Sequence, residues 1–348
     1  MRSASDTVSF GSASLLDLNA FVAAVDARAA RRHPVLLGTT IGRRSTRRRA
    51  PRPVNVPAPA PRPPGVPDLD LRDWDLIVVN TSGGKDSQCA MQVICRQAAA
   101  QGVLDRVVVN YCDLGERVVW PGTADIGPNA PLLVAEYGDR PGCRDLAGLH
   151  ARVNGVPADR FRVTRYDGGD LLDAIAERGM FPDKKNRWCT SSRKRDVSLP
   201  LLTDLVRQVR RAGLRRRARI LYVFGFRAAE SDDRAAKVPF GINDRASNKT
   251  RREVWDLYPI HHWTDAQVWA DIRRSGVPFA WPYDAGMSRL SCSYCVLGST
   301  MDLMLASVLR PDVAAQYIAV EQRIGHTFQN GRSLESIAAA ATAAGITI

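Results

Sequence analysis

The stretch Val78-Val79-Asn80-Thr81-Ser82-Gly83-Gly84-Lys85-Asp86-Ser87 decides how this chain is read. The apolar run Leu76 to Val79 has the length of a buried strand. Ser82-Gly83-Gly84 is a turn, and beyond Asp86 the residues Met91 and Ile94 recur at helical spacing. A strand that turns through glycines into a helix is a phosphate site in outline. Glycines let the backbone approach the anion, and free N–H groups with the helix dipole stabilise it. Lys85 adds a point charge, and Ser82 and Ser87 add hydroxyl donors. Asp86 repels a phosphate unless a divalent metal or a backbone contact uses it. The Walker pattern needs Gly, four residues, then Gly-Lys-Ser/Thr; here Gly83, Gly84 and Lys85 are contiguous. Taken alone, the turn has the same signature as an ordinary Gly-Gly turn before a helix.

The downstream segments separate a phosphate site from a plain turn. Gln88–Ala100 reads as the helix after strand one. Arg106–Tyr111 reads as strand two, ending at Asp113-Leu114-Gly115. Leu132–Tyr137 and Arg144–Asn154 read as a helix pair or a helix after a loop, Phe161–Tyr166 as a third strand, and Leu171–Arg178 as a helix. Leu199–Ala212 is a basic amphipathic helix, and Ile220–Phe224 a fourth strand. Strands alternating with helices predict an α/β fold, a parallel sheet with helices on both faces. Such sheets bind ligands at the carboxyl ends of their strands. The glycine loop, Asp113 and Gly225-Phe226-Arg227 all fall there, which favours a site.

The rest of the chain bounds the class. Residues 1–70 contain Arg43, Arg44, Arg47, Arg48 and Arg49, then a proline-rich run from Pro51 to Pro67. Like charges repel and proline blocks regular structure, so a basic arm is expected, with one amphipathic helix at Leu15–Ala30. Such an arm suits DNA or RNA backbones, or serves only as a solubilising extension. The net charge of +13 points to a polyanionic partner. No apolar run is long enough for a membrane span and no secretion signal is recognisable, so a cytoplasmic protein with no membrane partner is expected. Seven cysteines in such a chain point to thiols, metal or catalysis rather than a disulfide framework. Residues 71–255 read as the nucleotide-binding α/β domain, and 256–348 as a cysteine-bearing helical region.

Several further segments carry chemistry. Arg227 and Arg234 are candidate oxyanion ligands, with Glu230 placed to orient one of them; surface ion pairs are the plain alternative. Cys189 lies among six cationic side chains between Lys184 and Arg195, which predicts a stabilised thiolate, either nucleophile or metal ligand. Cys292-Ser293-Tyr294-Cys295 is a CxxC, compatible with half a zinc site, a redox pair or two iron–sulfur ligands. Cys189 is a third ligand candidate, and Cys112 or Cys143 a fourth; Cys89 and Cys95 read as packed in the first helix. Thr264 reads as a helix N-cap with Gln267 as capping-box partner. His261 and His262 before it read as local hydrogen-bonding groups.

In this order the segments resemble the phosphoadenosine-phosphosulfate (PAPS) reductase family of the PP-loop ATP pyrophosphatase superfamily, over about residues 74–300. The resemblance rests on Ser82-Gly83-Gly84-Lys85-Asp86-Ser87, Asp113-Leu114-Gly115, Arg187-Trp188-Cys189-Thr190 with Lys194-Arg195, Gly225-Phe226-Arg227 with Glu230-Ser231, Pro259 with Trp263-Thr264, and Tyr283 to Cys295. It implies an adenine nucleotide alpha hydrolase-like fold. It also implies that Ser82 to Ser87 grip the phosphates of ATP, PAPS or APS (adenylyl sulfate). Lys85, Asp86, Asp113, Cys189 and Arg227 are then the catalytic set. Ser82, Gly83, Gly84, Lys85, Asp86, Ser87, Arg227, Glu230 and Arg234 bind the nucleotide, and Asp86 or Asp113 acts through Mg2+.

The departures are informative. Family reductases of adenylyl sulfate hold a 4Fe-4S cluster with a tandem Cys-Cys and a CxxC; here Trp188 precedes Cys189. Family reductases also use a later catalytic cysteine, and none follows Cys295. Their loops tend to be altered, whereas this one is intact. The resemblance therefore leans toward members that adenylate an acceptor for sulfur transfer, such as DNA phosphorothioation and tRNA thiolation enzymes. Cys189, Cys292 and Cys295 would hold an iron–sulfur cluster in preference to zinc, with a sulfur donor protein as partner. The alternatives are sulfonucleotide reduction to sulfite and a non-catalytic zinc and nucleic-acid-binding module.

Overall fold

In the computed structural model, which describes residues 68–348, six strands form one sheet. They are β1 (Leu76–Thr81), β2 (Val107–Asp113), β3 (Phe161–Arg165), β4 (Ala218–Val223), β5 (Phe240–Ile242) and β6 (Arg252–Leu257). Their spatial order is β3-β2-β1-β4-β6-β5, parallel throughout except where β5 runs antiparallel to β6. The principal helices are α1 (Lys85–Ala100), α2 (Ala130–Tyr137), α3 (Cys143–Val153), α4 (Leu171–Arg178), α5 (Asp196–Arg211), α6 (Asp265–Ser275), α7 (Thr300–Leu309), α8 (Pro311–Ile324) and α9 (Leu334–Ala343).

The apolar runs of β1 and β2 are buried on both faces because side chains alternate across a strand. Ile77 and Val79 face Met91 and Ile94 of α1 and Ala151 of α3. Leu76 and Val78 face Leu202, Leu205 and Val206 of α5. Helices thus cover both faces, and the expected α/β class holds. Beyond β6, α7 to α9 pack with α4 and the chain after β2 around Trp120, Phe181, Tyr317 and Phe328.

β5 and β6 lie outside the four strands read from sequence. Both are only partly buried, and β6 mixes Arg252, Glu253 and Asp256 with Val254 and Leu257. A strand near a sheet edge need not be uniformly apolar, so periodicity does not mark it. β6 also runs across residue 255, where the sequence reading places a boundary, and residues 68–348 fall within one compact unit. The arm read over residues 1–70, with its helix, lies outside the described residues save for its last three. Among the described residues no single helix is long and apolar enough to cross a membrane.

Candidate functional site

β1 ends at Thr81 and α1 begins at Lys85, so Ser82-Gly83-Gly84 turns at the carboxyl end of a central strand. Gly83 has φ +76°, and a Cβ there would lie 2.7 Å from the Cys143 carbonyl oxygen. Gly225, just past β4, is equally constrained: a Cβ would sit 2.6 Å from the Asp86 backbone. The chain after β4 is thereby pressed against the first turn of α1. Gly225→Ala should force these two segments apart and cost about 2 kcal/mol, the scale of overpacking a tight contact. Thermal or urea denaturation checks this, and an unchanged midpoint would contradict it.

The loop's N–H groups are not free. Those of Ser82, Gly83 and Gly84 donate to Ser87 Oγ (3.2 Å), Thr81 Oγ1 (3.2 Å) and Ser82 Oγ (3.4 Å). The Lys85 N–H donates to the Tyr283 hydroxyl at 3.2 Å. All four contacts are longer than the usual ~2.9 Å for an N–H donor. A charged phosphate oxygen is a stronger acceptor than these hydroxyls and would displace them. The Lys85 side chain is buried under the chain that follows α6: Nζ donates to the Ser288 carbonyl (3.2 Å) and stands 3.7 Å from Asp265. Asp302 in turn holds Ser288 through its N–H and its hydroxyl, each at 2.7 Å.

Asp86 does not face an open metal position. Its Oδ1 accepts from Arg227 Nε at 2.5 Å, and Arg227 Nη2 donates to Asp265 at 2.6 Å. Arg227, read from sequence as a phosphate ligand, is therefore buried and clamped between two carboxylates. The Asp86 carboxylate is thus paired with that guanidinium. Burial raises the Asp86 pKa, and the charges of Arg227 and Lys85 partly oppose that rise. Glu230 accepts from the Arg227 N–H at 3.0 Å and pairs with the Arg234 guanidinium, which lies over the Phe226 ring at 4.5 Å. Arg234 is thus engaged as well. Asp113 ends β2, where its Oδ1 accepts from the Gly115 N–H at 2.9 Å.

The cysteines separate into two groups. Cys89 and Cys95 are fully packed, and burial pushes Cys95 up to about 12. Cys143 starts α3 beneath Gly83 and is likewise pushed up by burial to about 12. By contrast, Cys112, Cys189, Cys292 and Cys295 all act electrostatically on one group, the Lys194 ammonium. Burial alone would lower the Lys194 pKa; the four thiol groups around it, which favour the ammonium wherever they ionise, turn the balance upward.

The expected low-pKa thiolate at Cys189 is corrected. Burial raises its pKa, and Lys194 only partly offsets this. Of the six cations near it in sequence, Lys184, Lys185, Arg187 and Arg195 point to solvent. Cys292 is pushed up to about 12, again by burial. The CxxC is anchored from two sides. The Ser293 N–H donates to the Val118 carbonyl (2.8 Å), and buried Arg310 donates to Ser293 Oγ (2.7 Å) and to the carbonyls of Val119 and Glu116. Among the described residues no three His, Cys, Asp or Glu side chains stand at metal-ligand spacing. In donor chemistry the thiols around Lys194 still suit iron–sulfur or zinc.

Helix Asp196–Arg211 is preceded by a helical turn, Trp188–Thr190, and a π-helical turn, Ser191–Arg195. π-Turns inside helices recur at functional sites. The roles of Asp265, Tyr283 and Lys194 escape sequence reasoning, although Tyr283 and Lys194 lie in segments that carry the family resemblance and Asp265 directly follows one. Their partners are far away in sequence, so no spacing signal marks them. The Thr264–Gln267 capping box forms as read, which leaves Asp265 at the first position of α6, facing Arg227.

Residues 202–297 match the model of the phosphoadenosine phosphosulfate reductase domain. A curated relative, an uncharacterized 37.8 kDa protein in the gpa 5' region of Escherichia phage 186, is 28% identical over 177 residues. That is 51% of this chain and 49% of the relative, so the chain spans about half the length of the curated relative it matches. Among solved structures, similarity extends to Candida glabrata FMN adenylyltransferase in complex with FAD and inorganic pyrophosphate. There the TM-score is 0.35 and the identity 14%, covering 64% of this chain and 58% of that one. A PAPS reductase from Candida auris, in a phosphate complex, gives a TM-score of 0.31 and 12% identity, covering 65% and 85%. Over residues 202–297, from within α5 through the CxxC, this chain is thus similar to the phosphoadenosine phosphosulfate reductase domain.

Proposed function

We propose that this chain binds ATP at Ser82 to Ser87, adenylates an acceptor oxygen, and directs sulfur to the activated position. The supporting observation is the reach of one segment. Tyr283 and Ser288 touch Lys85 at the loop, while Cys292 and Cys295, a few residues on, share Lys194 with Cys189. The nucleotide site and the thiols are therefore served by the same piece of chain.

In this reading the loop N–H groups exchange their hydroxyl partners for phosphate oxygens, and Lys85 supplies positive charge for the leaving pyrophosphate. The acceptor oxygen attacks the α-phosphorus and pyrophosphate departs; sulfide then displaces AMP from the acceptor carbon. Arg227 holds Asp86 and Asp265 in place rather than meeting phosphate. Cys189, Cys292 and Cys295, with Cys112 nearby, would hold an iron–sulfur group, which supplies a soft site for sulfur when bound. A sulfur donor protein and a nucleic-acid acceptor, met by the basic arm, are the partners this reading calls for.

Anaerobically purified protein should contain iron and convert ATP to AMP with a nucleic acid or nucleotide acceptor. Lys85→Ala should weaken ATP binding at least about tenfold, the value of one charge-assisted contact, without loss of iron. No ATP binding and no AMP formation by iron-loaded protein would sink the proposal. The family match favours a second reading, reduction of adenylyl or phosphoadenylyl sulfate. Sulfite release without ATP cleavage would select it.

A further inference from the structure

Across residues 204–219 and 244–253 the sequence sets eleven arginine and lysine residues against three acids, Asp204, Asp244 and Glu253. The fold gathers both segments at the amino ends of β4 and β6, opposite the strand ends that carry the glycine loop. There the Ala218 N–H donates to the Arg251 carbonyl at 2.9 Å, so the two segments run side by side. Arg252 ties the second segment to α5 through Thr203 Oγ1 (2.8 Å), and Arg210, in the last turn of α5, donates to the Arg216 carbonyl (3.3 Å). The 248–251 turn is held from within, where Asn248 Oδ1 accepts from the Arg251 N–H at 2.7 Å.

The acids of this surface are largely spent. Asp204 pairs with Arg207 at 2.6 Å, Glu253 with Arg217 at 3.4 Å, and neighbouring Asp75 with Arg216 at 2.7 Å. Asp244 is left against four cations: Arg211, Arg215, Lys249 and Arg251. All four are exposed, and among the described residues none of their side chains has an ion pair or a hydrogen bond. Unpaired like charges on one surface repel one another, and a polyanion relieves that repulsion.

Two features select the polyanion. Guanidinium groups meet phosphate oxygens edge-on, and several of them along one surface match a repeating phosphate better than a single small ion. Neither segment contains an aromatic residue. Single-stranded nucleic acid is held by stacking its bases on aromatic rings, whereas a duplex keeps its bases inside and offers its backbone.

We infer that this end of the sheet is a docking surface for the phosphate backbone of double-stranded nucleic acid, held through Arg211, Arg215, Lys249 and Arg251 without regard to sequence. The inference goes beyond the sulfur-transfer reading and does not depend on it, because the surface lies at the other end of the strands from the glycine loop.

The test is fluorescence anisotropy of the full chain with a short labelled DNA duplex of mixed sequence over a salt series, with neither ATP nor iron present, so its outcome is separate from that of the proposed reaction. Each phosphate contact contributes about −0.9 to the slope of log affinity against log salt. The triple variant Arg211→Gln, Arg215→Gln, Arg251→Gln should therefore flatten the slope by about 2.7 and weaken binding at least about tenfold. Its denaturation midpoint should not move, because the three side chains hold no partner in the fold. The same flattening should appear when Arg43, Arg44, Arg47, Arg48 and Arg49 are also changed to Gln, which removes the arm's charge from the comparison. An unchanged affinity and slope in the triple variant would overturn the inference. So would tighter binding of the matching single strand, or a response to the variant seen with phosphatidylserine vesicles and not with the duplex.

Discussion

Arg227→Met should destabilise the fold by about 3 kcal/mol, the lower end of what breaking a buried ion pair costs. The guanidinium touches Asp86 at 2.5 Å, Asp265 at 2.6 Å and the Trp263 carbonyl at 3.2 Å. Methionine replaces the stem and none of these bonds. Asp86 is then left with burial raising its pKa and with Lys85 as its remaining cation. Asp265 is 60% exposed and finds water, which is why the lower end of the range applies. Asp86→Asn in the same chain removes the stranded charge and should recover part of the loss. Urea denaturation of the two single variants and the double variant measures the coupling. Strictly additive losses would mean that the pair is not the source of the effect.

The second large effect is a pH dependence centred on His150. This residue sits in α3 with no exposed surface, and its Nε2 pairs with the Pro278 carbonyl at 2.8 Å. Burial depresses its pKa from 6.5 to about 4, against the smaller pull of that carbonyl. The folded chain therefore keeps the ring neutral where the unfolded chain protonates it. Below pH 6.5 the unfolded state binds the extra proton, so stability is fully present above about 6.5 and drains away as pH falls toward 4. At 1.36 kcal/mol for each pH unit, the loss across that window is about 3 kcal/mol. Denaturation midpoints at pH 7 and pH 4.5 test this against His150→Gln, which cannot titrate. The variant should show a correspondingly shallower pH dependence, and an identical slope would refute the assignment.

The local sequence already carries much of the site's outline. Burial of Leu76 to Val79 on both faces, the positive φ of Gly83 and the Thr264–Gln267 cap are all consequences of short-range pattern. Helix Leu171–Arg178 also appears where periodicity puts it. These features depend on residues within one turn or one strand of each other, so a linear reading reaches them.

The remaining features depend on partners far apart in the chain. Arg227 and Asp86 are 141 positions apart, and no spacing rule says that the arginine will spend its charge on the loop aspartate rather than on a phosphate. The charge density around Cys189 is equally ambiguous in one dimension. Only the fold turns Lys184, Lys185, Arg187 and Arg195 outward and leaves Lys194 as the cation the thiols share. The sequence by itself determined a glycine turn at the end of a buried strand in an α/β sheet, because strand burial and turn stereochemistry are local. Which charges neutralise one another around that turn was decided by tertiary structure, because electrostatic energy depends on distance and burial, and both are set only when the sheet brings the strand ends together.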